Sequence, residues 1–350
     1  MKKVRVGLVG AAFAANLHID AYARCRDISE VVAVCDKNFA LAEEFAAKFG
    51  IGQVFDSVEA LLKLPDIDVI DICLPNFLHC EIAVQAFAAG KHVISEKPLG
   101  ISVEEAERMV AAAEKAGRHL FYAEDWMFSP ALVRAREIIE QGAIGDVLFI
   151  KAKEAHNGSH SPFAQKLKFC GGGCMIHLGI HPLGFLHALK GMPTEVTAMT
   201  SGGLDKNFVH KSMEGEDWGA ALLRFADGST AIAEANYVTV GGMVDVVEFY
   251  GSEGRLNVDL TMGSPLTAYS RTGFDYAVEK ADTTKGWTRP AVDEKLMLGY
   301  VGEIRHFMTC ALEDTPAMKG LTGRDGLQVL KILAAIYESA RTGCKVSPRC

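Results

Sequence analysis

The sequence has little that would suit a nucleic-acid binder, a membrane protein or a disulfide-stabilised secreted domain. Its 350 residues carry 36 Lys and Arg against 44 Asp and Glu, a formal charge of -8, which argues against a binder built on net positive charge. No apolar run approaches the ~18 residues of a membrane span. Nine cysteines, an odd number scattered along the chain, are typical of reduced thiols. We therefore expect a cytoplasmic protein that binds neither nucleic acid nor membranes.

The length is sufficient for two domains with separate hydrophobic cores, since domains typically contain about 150 residues. Residues 1–15 combine two lysines with apolar and small residues, a composition that secretory signal peptides share. Arg5 interrupts the apolar stretch, and the small residues that follow suit a turn between a strand and a helix. We therefore interpret the N-terminus as the first strand–helix unit of a folded domain.

Short apolar strands and helices alternate through the first third of the chain. The predicted strands are Val4–Val9, Val31–Cys35, Val69–Leu74, His92–Ser95 and Leu120–Tyr122, and the predicted helices are 11–23, Ala40–Phe49, Glu81–Ala89 and Val103–Ala116. Ser102, with Glu105 three residues later, forms a capping-box pattern before the last of these helices. Such alternation predicts a parallel sheet with a ligand site at the carboxyl ends of its strands.

The pattern changes after about Glu124. Longer segments rich in Val, Thr, Phe and Tyr are joined by turn signals such as Asp227-Gly228 and Gly241-Gly242, which predicts a mostly antiparallel sheet. A final helix is predicted over Gly323–Thr342. We therefore predict two domains: an α/β nucleotide-binding domain over residues 1–124, and an α+β domain with a large, mostly antiparallel, open sheet over residues 125–350.

The turn after the first strand has one of the three glycines of a dinucleotide-binding turn. It reads Gly10-Ala11-Ala12-Phe13-Ala14-Ala15, so alanines stand where close approach to a pyrophosphate and close helix packing usually require glycine. Asp36 ends the second strand, 26 residues after Gly10, where a carboxylate can accept hydrogen bonds from ribose hydroxyls and repel a 2′-phosphate. The pattern favours NAD over NADP, although Lys37 stands beside this carboxylate.

Several motifs together resemble the Gfo/Idh/MocA family of oxidoreductases. They are Cys73-Leu74-Pro75 followed by His79, Gly90-Lys91-His92-Val93, Glu96-Lys97-Pro98, Gly171-Gly172-Gly173 followed by His181, and the run 335–343. The Glu-Lys-Pro element is the most specific, and the resemblance extends over nearly the whole chain. It implies an NAD(P)-binding Rossmann domain, a sheet-based substrate and oligomerisation domain, and hydride transfer on sugars, cyclitols such as inositols, or related alcohols.

The resemblance and the strand ends together indicate where ligands bind. The candidate cofactor residues are Gly10, Ala12, Phe13, Ala14, Asp36, Lys37, Leu74, Pro75, Asn76, His79, Glu96, Lys97, Asp125 and Trp126. The candidate substrate residues are Glu124, Glu154, His156, His160, His177 and Tyr237. Met127 takes the place of an arginine in the family, which argues against an anionic substrate. We expect NAD as cofactor, a carbohydrate or polyol as substrate, and a homodimer or homotetramer as the assembly.

Hydride transfer from a secondary alcohol requires a base for the hydroxyl proton and a cation near the developing alkoxide. The catalytic lysine of the family matches Lys97, and its histidine matches His181. The family aspartate four residues before this histidine is replaced by His177, and the i, i+4 spacing predicts that both imidazoles share one helix face. The predicted catalytic residues are therefore Lys97, His181 and His177.

Other interpretations remain open. The missing aspartate and the extra histidines also suit an NAD-using glycoside-cleaving enzyme or lyase, in which transient oxidation is followed by elimination. Two histidines at i, i+4 are also a common metal pair, but nothing in the sequence brings the candidate ligands together, so we prefer a polar sugar pocket and predict no metal. A cofactor-binding subunit without activity is a third interpretation, against which the Glu-Lys-Pro element and His181 argue.

Overall fold

The computed structural model describes residues 3–159, 161–261, 263, 266–275 and 280–348. Internal contacts divide the chain into two compact units. Unit 1 consists of Met1–Asp125 and Tyr300–Leu330, and unit 2 consists of Trp126–Gly299 and Lys331–Cys350. Residues Tyr300–Leu330 thus group with the N-terminal unit, whereas the sequence pattern placed the whole of 125–350 in one domain. Contacts between helices far apart in sequence cause this grouping, and local periodicity does not reveal such contacts.

Unit 1 contains a parallel sheet, as predicted, and this sheet has six strands rather than the five predicted. Its strands are β1 (Val4–Val9), β2 (Ser29–Cys35), β3 (Gln53–Phe55), β4 (Val69–Ile72), β5 (His92–Glu96) and β6 (Leu120–Ala123), in the order β3-β2-β1-β4-β5-β6. Its first helices are α1 (Phe13–Ala23), α2 (Phe39–Phe49), α3 (Val58–Leu62), α4 (His79–Ala88) and α5 (Val103–Ala116). Strand β3 was not predicted, because three residues are too few to show a period.

One half of this sheet, from β4 to the edge strand β6, is buried along its whole length. Every residue of β4, β5 and β6 is buried, as expected for parallel strands that have helices on both faces. Ser102 caps α5 as predicted, since its Oγ accepts a hydrogen bond from the Glu105 N–H at 3.3 Å. The carboxyl ends of β1, β2, β4 and β5 meet at one edge of the sheet, where ligands bind in folds of this type.

Unit 2 contains a second six-stranded sheet. Its strands are β7 (Val147–Ala155), β8 (Glu195–Thr200), β9 (Trp218–Arg224), β10 (Thr230–Asn236), β11 (Val244–Gly251) and β12 (Arg255–Asp259), in the order β12-β11-β7-β10-β9-β8. Strands β7 and β10 pair in parallel and the other neighbours pair antiparallel, which confirms the mostly antiparallel sheet. Strands β13 (Ala268–Ser270) and β14 (Gly286–Thr288) form a separate antiparallel pair.

Unit 2 also contains helices. They are α6 (Pro130–Glu140), α7 (Leu167–Cys170), α8 (Cys174–His177), α9 (Ile180–Lys190) and α10 (Glu294–Leu298). Helices α8 and α9 pack against β10, whose small residues Ala231, Ala233 and Ala235 are fully buried there. On neighbouring strands, Met199 and Leu222 are exposed to 69% and 56%, so the sheet has an open face with apolar side chains.

Two long helices complete the chain, namely α11 (Tyr300–Glu313) and α12 (Gly323–Thr342). Helix α11 packs against α1 within unit 1, and this contact explains the grouping of Tyr300–Leu330 with the N-terminal residues. Helix α12 has the bounds that its sequence pattern predicts.

A search of the described residues for membrane-spanning helices finds no single helix of sufficient length and apolarity. One bent pair, Leu167–His177 with Ile180–Lys190 at 60°, passes the test by length and composition only. The eight described cysteines are free thiols, and seven of these side chains are buried.

Candidate active site

The turn between β1 and α1 has the geometry of a phosphate-binding turn. Gly10 has a φ of +106°, and a Cβ at this position would lie 2.2 Å from the carbonyl oxygen of Cys73. Ala12 is the N-cap of α1 and supplies no side-chain hydrogen bond to the first turn. The backbone N–H groups of this turn therefore suit an anion, which the positive end of the helix dipole also favours.

Asp36 follows β2 and is bonded to the same turn. Its Oδ2 accepts a hydrogen bond from the Ala11 N–H at 3.0 Å, and its Oδ1 accepts one from the Asn38 N–H at 2.8 Å. Each carboxylate oxygen has a further lone pair, so Asp36 can also accept from ribose hydroxyls. Lys37, the next residue, is exposed.

The segment after β4 is held by His79. Leu74, Pro75 and Asn76 are half-buried, whereas His79 is fully buried at the start of α4. The His79 Nε2 lies 2.8 Å from the Leu74 carbonyl oxygen, and its Nδ1 lies 2.9 Å from the carbonyl oxygen of Pro98. Burial lowers the pKa of His79, although both carbonyl groups oppose this shift. His79 thus connects the turn after β4 with the turn that contains Lys97.

Glu96 and Lys97 occupy the carboxyl end of β5. The Glu96 side chain is buried, and its Oε2 accepts a hydrogen bond from the Lys97 N–H at 3.0 Å. The Lys97 side chain is half-buried. Hydrogen bonds therefore hold the backbone on both sides of this side chain, through Glu96 before it and through the Pro98 carbonyl after it.

Further carboxyl groups of unit 1 are buried after β6. Glu124 and Asp125 are 0% and 4% exposed, and Glu303 on α11 is also 0% exposed. Burial raises the pKa of Glu303 well above 4.5, and the charges of Asp125 and Glu124 contribute to the same shift. Burial thus favours the neutral form of Glu303, which reduces the negative charge in this interior.

In unit 2, a glycine-rich turn before α8 leads to the predicted histidines. A Cβ on Gly173 would lie 1.9 Å from the carbonyl oxygen of Glu216, so only glycine fits. The Glu216 carboxylate accepts hydrogen bonds from the N–H groups of Gly173 (3.1 Å) and Met175 (2.9 Å) and from the Tyr337 hydroxyl (3.0 Å). Burial raises the pKa of Glu216 even though these donors lower it. Glu216 thus binds the N-terminal turn of α8.

His177 and His181 lie on different helices. Helix α8 ends at His177, and α9 begins at Ile180 with Gly179 as its N-cap. The segments Leu167–His177 and Ile180–Lys190 are bent by 60° relative to each other. The prediction that both imidazoles share one helix face is therefore wrong. A Cβ on Gly179 would lie 2.7 Å from the Met175 carbonyl oxygen, so the break depends on a glycine at this position.

His181 is positioned by side chains of unit 2. The indole of Trp126 stacks on the His181 imidazole, with ring centroids 5.9 Å apart and an interplanar angle of 16°. The His181 Nε2 lies 3.9 Å from the Glu154 Oε2, within ion-pair range if the imidazole is protonated. All three side chains are at least nine-tenths buried, so little water screens this interaction.

His177 belongs to a group of rings around Tyr237. The Tyr237 hydroxyl lies 2.8 Å from the His177 Nδ1, and the His156 ring centroid lies 5.5 Å from the phenol ring. His210 packs edge-on to the same phenol, with its Nε2 2.8 Å from the Tyr237 carbonyl oxygen. Burial raises the pKa of Tyr237 well above 10, so its hydroxyl stays protonated. His160 lies outside the described residues.

Among the residues that the structure describes, unit 1 contains two groups of potential metal ligands. His18, Asp71 and Cys73 form one, and His92, His119 and Asp314 form the other. The His92 Nδ1 accepts a hydrogen bond from the His119 N–H at 3.1 Å, so the proton of neutral imidazole is on the nitrogen that faces Asp314. A protonated nitrogen does not ligate a metal, and neither group contains a predicted site residue.

Two models of known protein families match the chain. The family model described as "Oxidoreductase family, NAD-binding Rossmann fold" matches residues 4–124, and that of the GFO/IDH/MocA C-terminal domain matches residues 132–257. The chain belongs to the Gfo/Idh/MocA family. It is therefore an oxidoreductase that uses NAD.

Several family members match over most of their length. Levoglucosan dehydrogenase of Pseudarthrobacter phenanthrenivorans is 30% identical, with 97% of each chain covered. D-apiose dehydrogenase of Paraburkholderia graminis is 28% identical over 98% of this chain and 89% of its own length. The structure of GenD2 from gentamicin A biosynthesis in complex with NAD is 27% identical and has a TM-score of 0.91, with 100% and 97% of the two chains covered.

In the structure of the present chain, the predicted residues fall into two groups, one in each unit. In unit 1, the carboxyl edge of the sheet carries the predicted residues Gly10, Ala12, Phe13, Ala14, Asp36, Lys37, Leu74, Pro75, Asn76, Glu96 and Lys97. His79 is buried beneath this edge, and Glu124 and Asp125 follow β6. In unit 2, contacts link His181 with Trp126 and Glu154, and link Tyr237 with His177 and His156.

Three residues important to these groups were not predicted from the sequence. Glu216 binds the turn before α8, His210 packs on Tyr237, and His18 contacts Glu96 from α1. Glu216 and His210 lie in irregular segments, and His18 is a single histidine in a helix, so no motif identified them.

Proposed function

We propose that this enzyme oxidises a secondary hydroxyl of a neutral sugar or polyol, with Lys97 and His181 as the acid/base pair. The observation that carries the proposal is the position of Lys97 at the carboxyl end of β5, at the sheet edge that also carries the Gly10 turn. Bound NAD supplies the acceptor for the hydride. Lys97 supplies a cation near the developing alkoxide, and His181 takes part in transfer of the hydroxyl proton.

The residues of unit 1 fit the cofactor. The space that a Cβ at Gly10 would fill admits a pyrophosphate close to the backbone, and the first turn of α1 offers N–H donors. Asp36 would bind the ribose hydroxyls, and its charge disfavours a 2′-phosphate, so NAD is preferred over NADP. Pro75, Asn76 and Glu96 border the same sheet edge. We propose these residues as the cofactor site.

The groups of unit 2 suit hydroxyl recognition. Glu154 and His156 on β7, with His177 and Tyr237, offer hydrogen-bond donors and acceptors among buried rings, an arrangement that sugar hydroxyls and C–H faces can match. Met127 is buried and takes the place of an arginine of the family that would favour an anionic substrate. The names of the relatives, levoglucosan and D-apiose dehydrogenase, support a neutral carbohydrate.

A panel of neutral sugars with NAD⁺ tests the proposal. We expect levoglucosan, D-apiose, a methyl glucoside or myo-inositol to give net NADH, measured by absorbance. Lys97→Ala should lower kcat about 1,000-fold, in the range that a positioned acid–base group contributes, and leave NAD affinity within about two-fold. Lys63→Ala, at an exposed lysine, is the matched control and should retain wild-type kcat. Equal activity of Lys97→Ala and wild type would overturn the role of Lys97.

A glycoside-cleaving reaction is the second candidate function. His177 replaces an acid of the family and contacts a phenol that stays protonated, so this pair could protonate a leaving group. In that case an aryl glycoside would release its phenol with bound NAD and no net NADH. A divalent metal in this reaction would require at least about 0.1 equivalent per purified chain by metal analysis.

We propose that unit 1 binds the cofactor and that unit 2 binds substrate and mediates association into a homodimer or homotetramer. The open sheet face combines exposed Met199 and Leu222 with the ion pair between Lys153 and Glu234 (3.2 Å). An apolar surface with paired charges suits contact between two identical sheets. Light scattering of wild type and Leu222→Asp would test this association, since a dimer should dissociate in the variant.

The scattered thiols suit a cytoplasmic location.

A further inference from the structure

A fully buried histidine lies directly behind the turn that contains Lys97. His18 projects from α1 and is 0% exposed. Its Nδ1 lies 2.8 Å from the Asp71 Oδ2 on β4, and its Nε2 lies 2.9 Å from the Glu96 Oε1 on β5. His18 therefore bridges two carboxylates from neighbouring strands in a region without solvent.

This geometry favours the charged form of His18. A neutral imidazole has a single N–H, whereas both ring nitrogens of His18 face a carboxylate oxygen, so the imidazolium alone donates to both. Burial by itself would lower the pKa of His18, but the Asp71 charge and hydrogen bond reverse that effect and leave the pKa well above 6.5. The geometry and the direction of this shift thus both favour an imidazolium between the two carboxyl groups.

The remaining groups around His18 complete the cluster. The Tyr22 hydroxyl donates to the Asp71 Oδ2 at 2.9 Å, and the Cys73 Sγ lies 3.7 Å from the Asp71 Oδ1. From α11, the Tyr300 ring lies 6.2 Å from the imidazole, and the charge of His18 lowers the pKa of Glu303 against the larger effect of burial. Burial raises the pKa of Cys73 to about 12, so this thiol is neutral near pH 7, and burial also raises the pKa of Glu303.

Glu96 connects this cluster to Lys97. Its Oε1 faces His18 and its Oε2 accepts from the Lys97 N–H at 3.0 Å, so each oxygen of one carboxylate has its own donor. Because the carboxylate is rigid and planar, the imidazolium determines where Glu96 holds the Lys97 backbone. We propose that His18 is a positioning residue that acts through Glu96 to orient Lys97. The proposal rests on the function of Lys97 proposed above.

Three variants separate this link from general packing. The amide of His18→Asn occupies the place of Nδ1 and keeps contact with Asp71, whereas that of His18→Gln extends toward the place of Nε2 and keeps contact with Glu96. Tyr22→Phe removes one hydroxyl from Asp71, in the same helix and the same cluster, and does not touch Glu96. It is the matched control for the loss of a buried hydrogen bond.

We expect a kcat effect without a binding effect. His18→Asn should lower kcat on a sugar that the wild type oxidises by about 10- to 100-fold, as a small misplacement of a reacting group does, with the KM for sugar and the Kd for NAD⁺ within about two-fold. His18→Gln should recover most of this kcat, and Tyr22→Phe should retain it. A merely structural role would lower the melting temperature in all three variants and leave kcat per folded enzyme unchanged.

A second measurement needs no sugar and remains informative if the proposed oxidation is wrong. Trinitrobenzenesulfonate labels accessible lysine amines, and mass spectrometry compares Lys97 with exposed Lys63 in the NAD-loaded protein. A loosened turn should make Lys97 label at least about three-fold faster in His18→Asn than in wild type, relative to Lys63, but not in Tyr22→Phe.

Two results would overturn the proposal: unchanged kcat and labelling in folded His18→Asn, or equal changes in His18→Asn and Tyr22→Phe. If His18→Asn does not fold by circular dichroism, Glu96→Gln tests the same link, because its amide offers one acceptor where two donors converge. That variant should then show the faster labelling of Lys97, and a wild-type labelling ratio would also overturn the proposal.

Discussion

The two units hold their candidate catalytic side chains by different means. In unit 1, hydrogen bonds to the backbone hold the turn around Lys97, from Glu96 on one side and from His79 on the other. In unit 2, ring contacts position the histidines, since Trp126 stacks on His181 and the Tyr237 phenol contacts His177. We therefore expect the unit 1 turn to depend on a few buried polar partners, and each histidine of unit 2 to respond to its own neighbouring ring.

The largest expected effect concerns the backbone of unit 2, at the glycine-rich turn before α8. Gly173→Ala places a Cβ 1.9 Å from the Glu216 carbonyl oxygen, and backbone cannot shift there without loss of the hydrogen bonds to Glu216. We expect a loss of at least about 4 kcal/mol in the free energy of unfolding, measured by urea denaturation. Gly52→Ala, with open space around its Cβ, should change it by less than about 1 kcal/mol. Similar losses in both variants would contradict this account of the turn.

The two histidines of unit 2 should differ in their effect on kcat. His181→Asn should lower kcat about 1,000-fold, because it removes the proposed acid/base group, and His177→Asn about 10-fold, because it removes a substrate contact. Steady-state kinetics with a sugar from the panel measure both values. If His177→Asn has the larger effect, proton transfer belongs to the His177 and Tyr237 pair, as the glycoside-cleaving alternative requires.

The buried cation of unit 1 should make stability depend on pH. Because the pKa of His18 is raised in the folded protein, its contribution is complete below the unfolded value of 6.5 and is lost as pH rises through the folded value. His18→Gln removes a buried charge partner, so we expect a destabilisation of about 3 kcal/mol below pH 6.5. This difference should shrink by about 1.4 kcal/mol per pH unit above that pH. Urea titrations of both proteins at several pH values test this, and a pH-independent difference would show that His18 is neutral.

The contrast between the units also explains how much of the site the sequence could predict. Glu96, Lys97 and Pro98 are adjacent, so one motif located the turn at the carboxyl end of β5. The relation between His177 and His181 depended on whether a helix continues through Gly179, and the spacing alone suggested that it does. The close approach of Gly179 to the Met175 carbonyl, which breaks the helix, is tertiary information that no local pattern contains.

Contacts between residues far apart in the sequence could not be predicted from local sequence patterns. His18 is 53 residues from Asp71 and 78 from Glu96, and Glu216 is 43 residues from the Gly173 that it holds. Each contact exists because tertiary packing brings segments together that are remote in the sequence. The strands themselves were predictable from apolar periodicity, since burial on one or both faces of a sheet leaves a local signal.

The smallest expected effects come from removing one tyrosine hydroxyl in each unit. Tyr22 and Tyr237 are both buried, and their hydroxyls lie 2.9 Å from Asp71 and 2.8 Å from His177. Each Phe variant should cost about 1 kcal/mol in the free energy of unfolding, the usual value of one hydrogen bond. Tyr237→Phe should also raise the KM for sugar about five-fold, because it frees an imidazole that we place against substrate, whereas Tyr22→Phe should leave KM unchanged. Equal KM values in both variants would mean that His177 does not need the phenol to bind substrate, and positioning by rings would then apply to His181 alone.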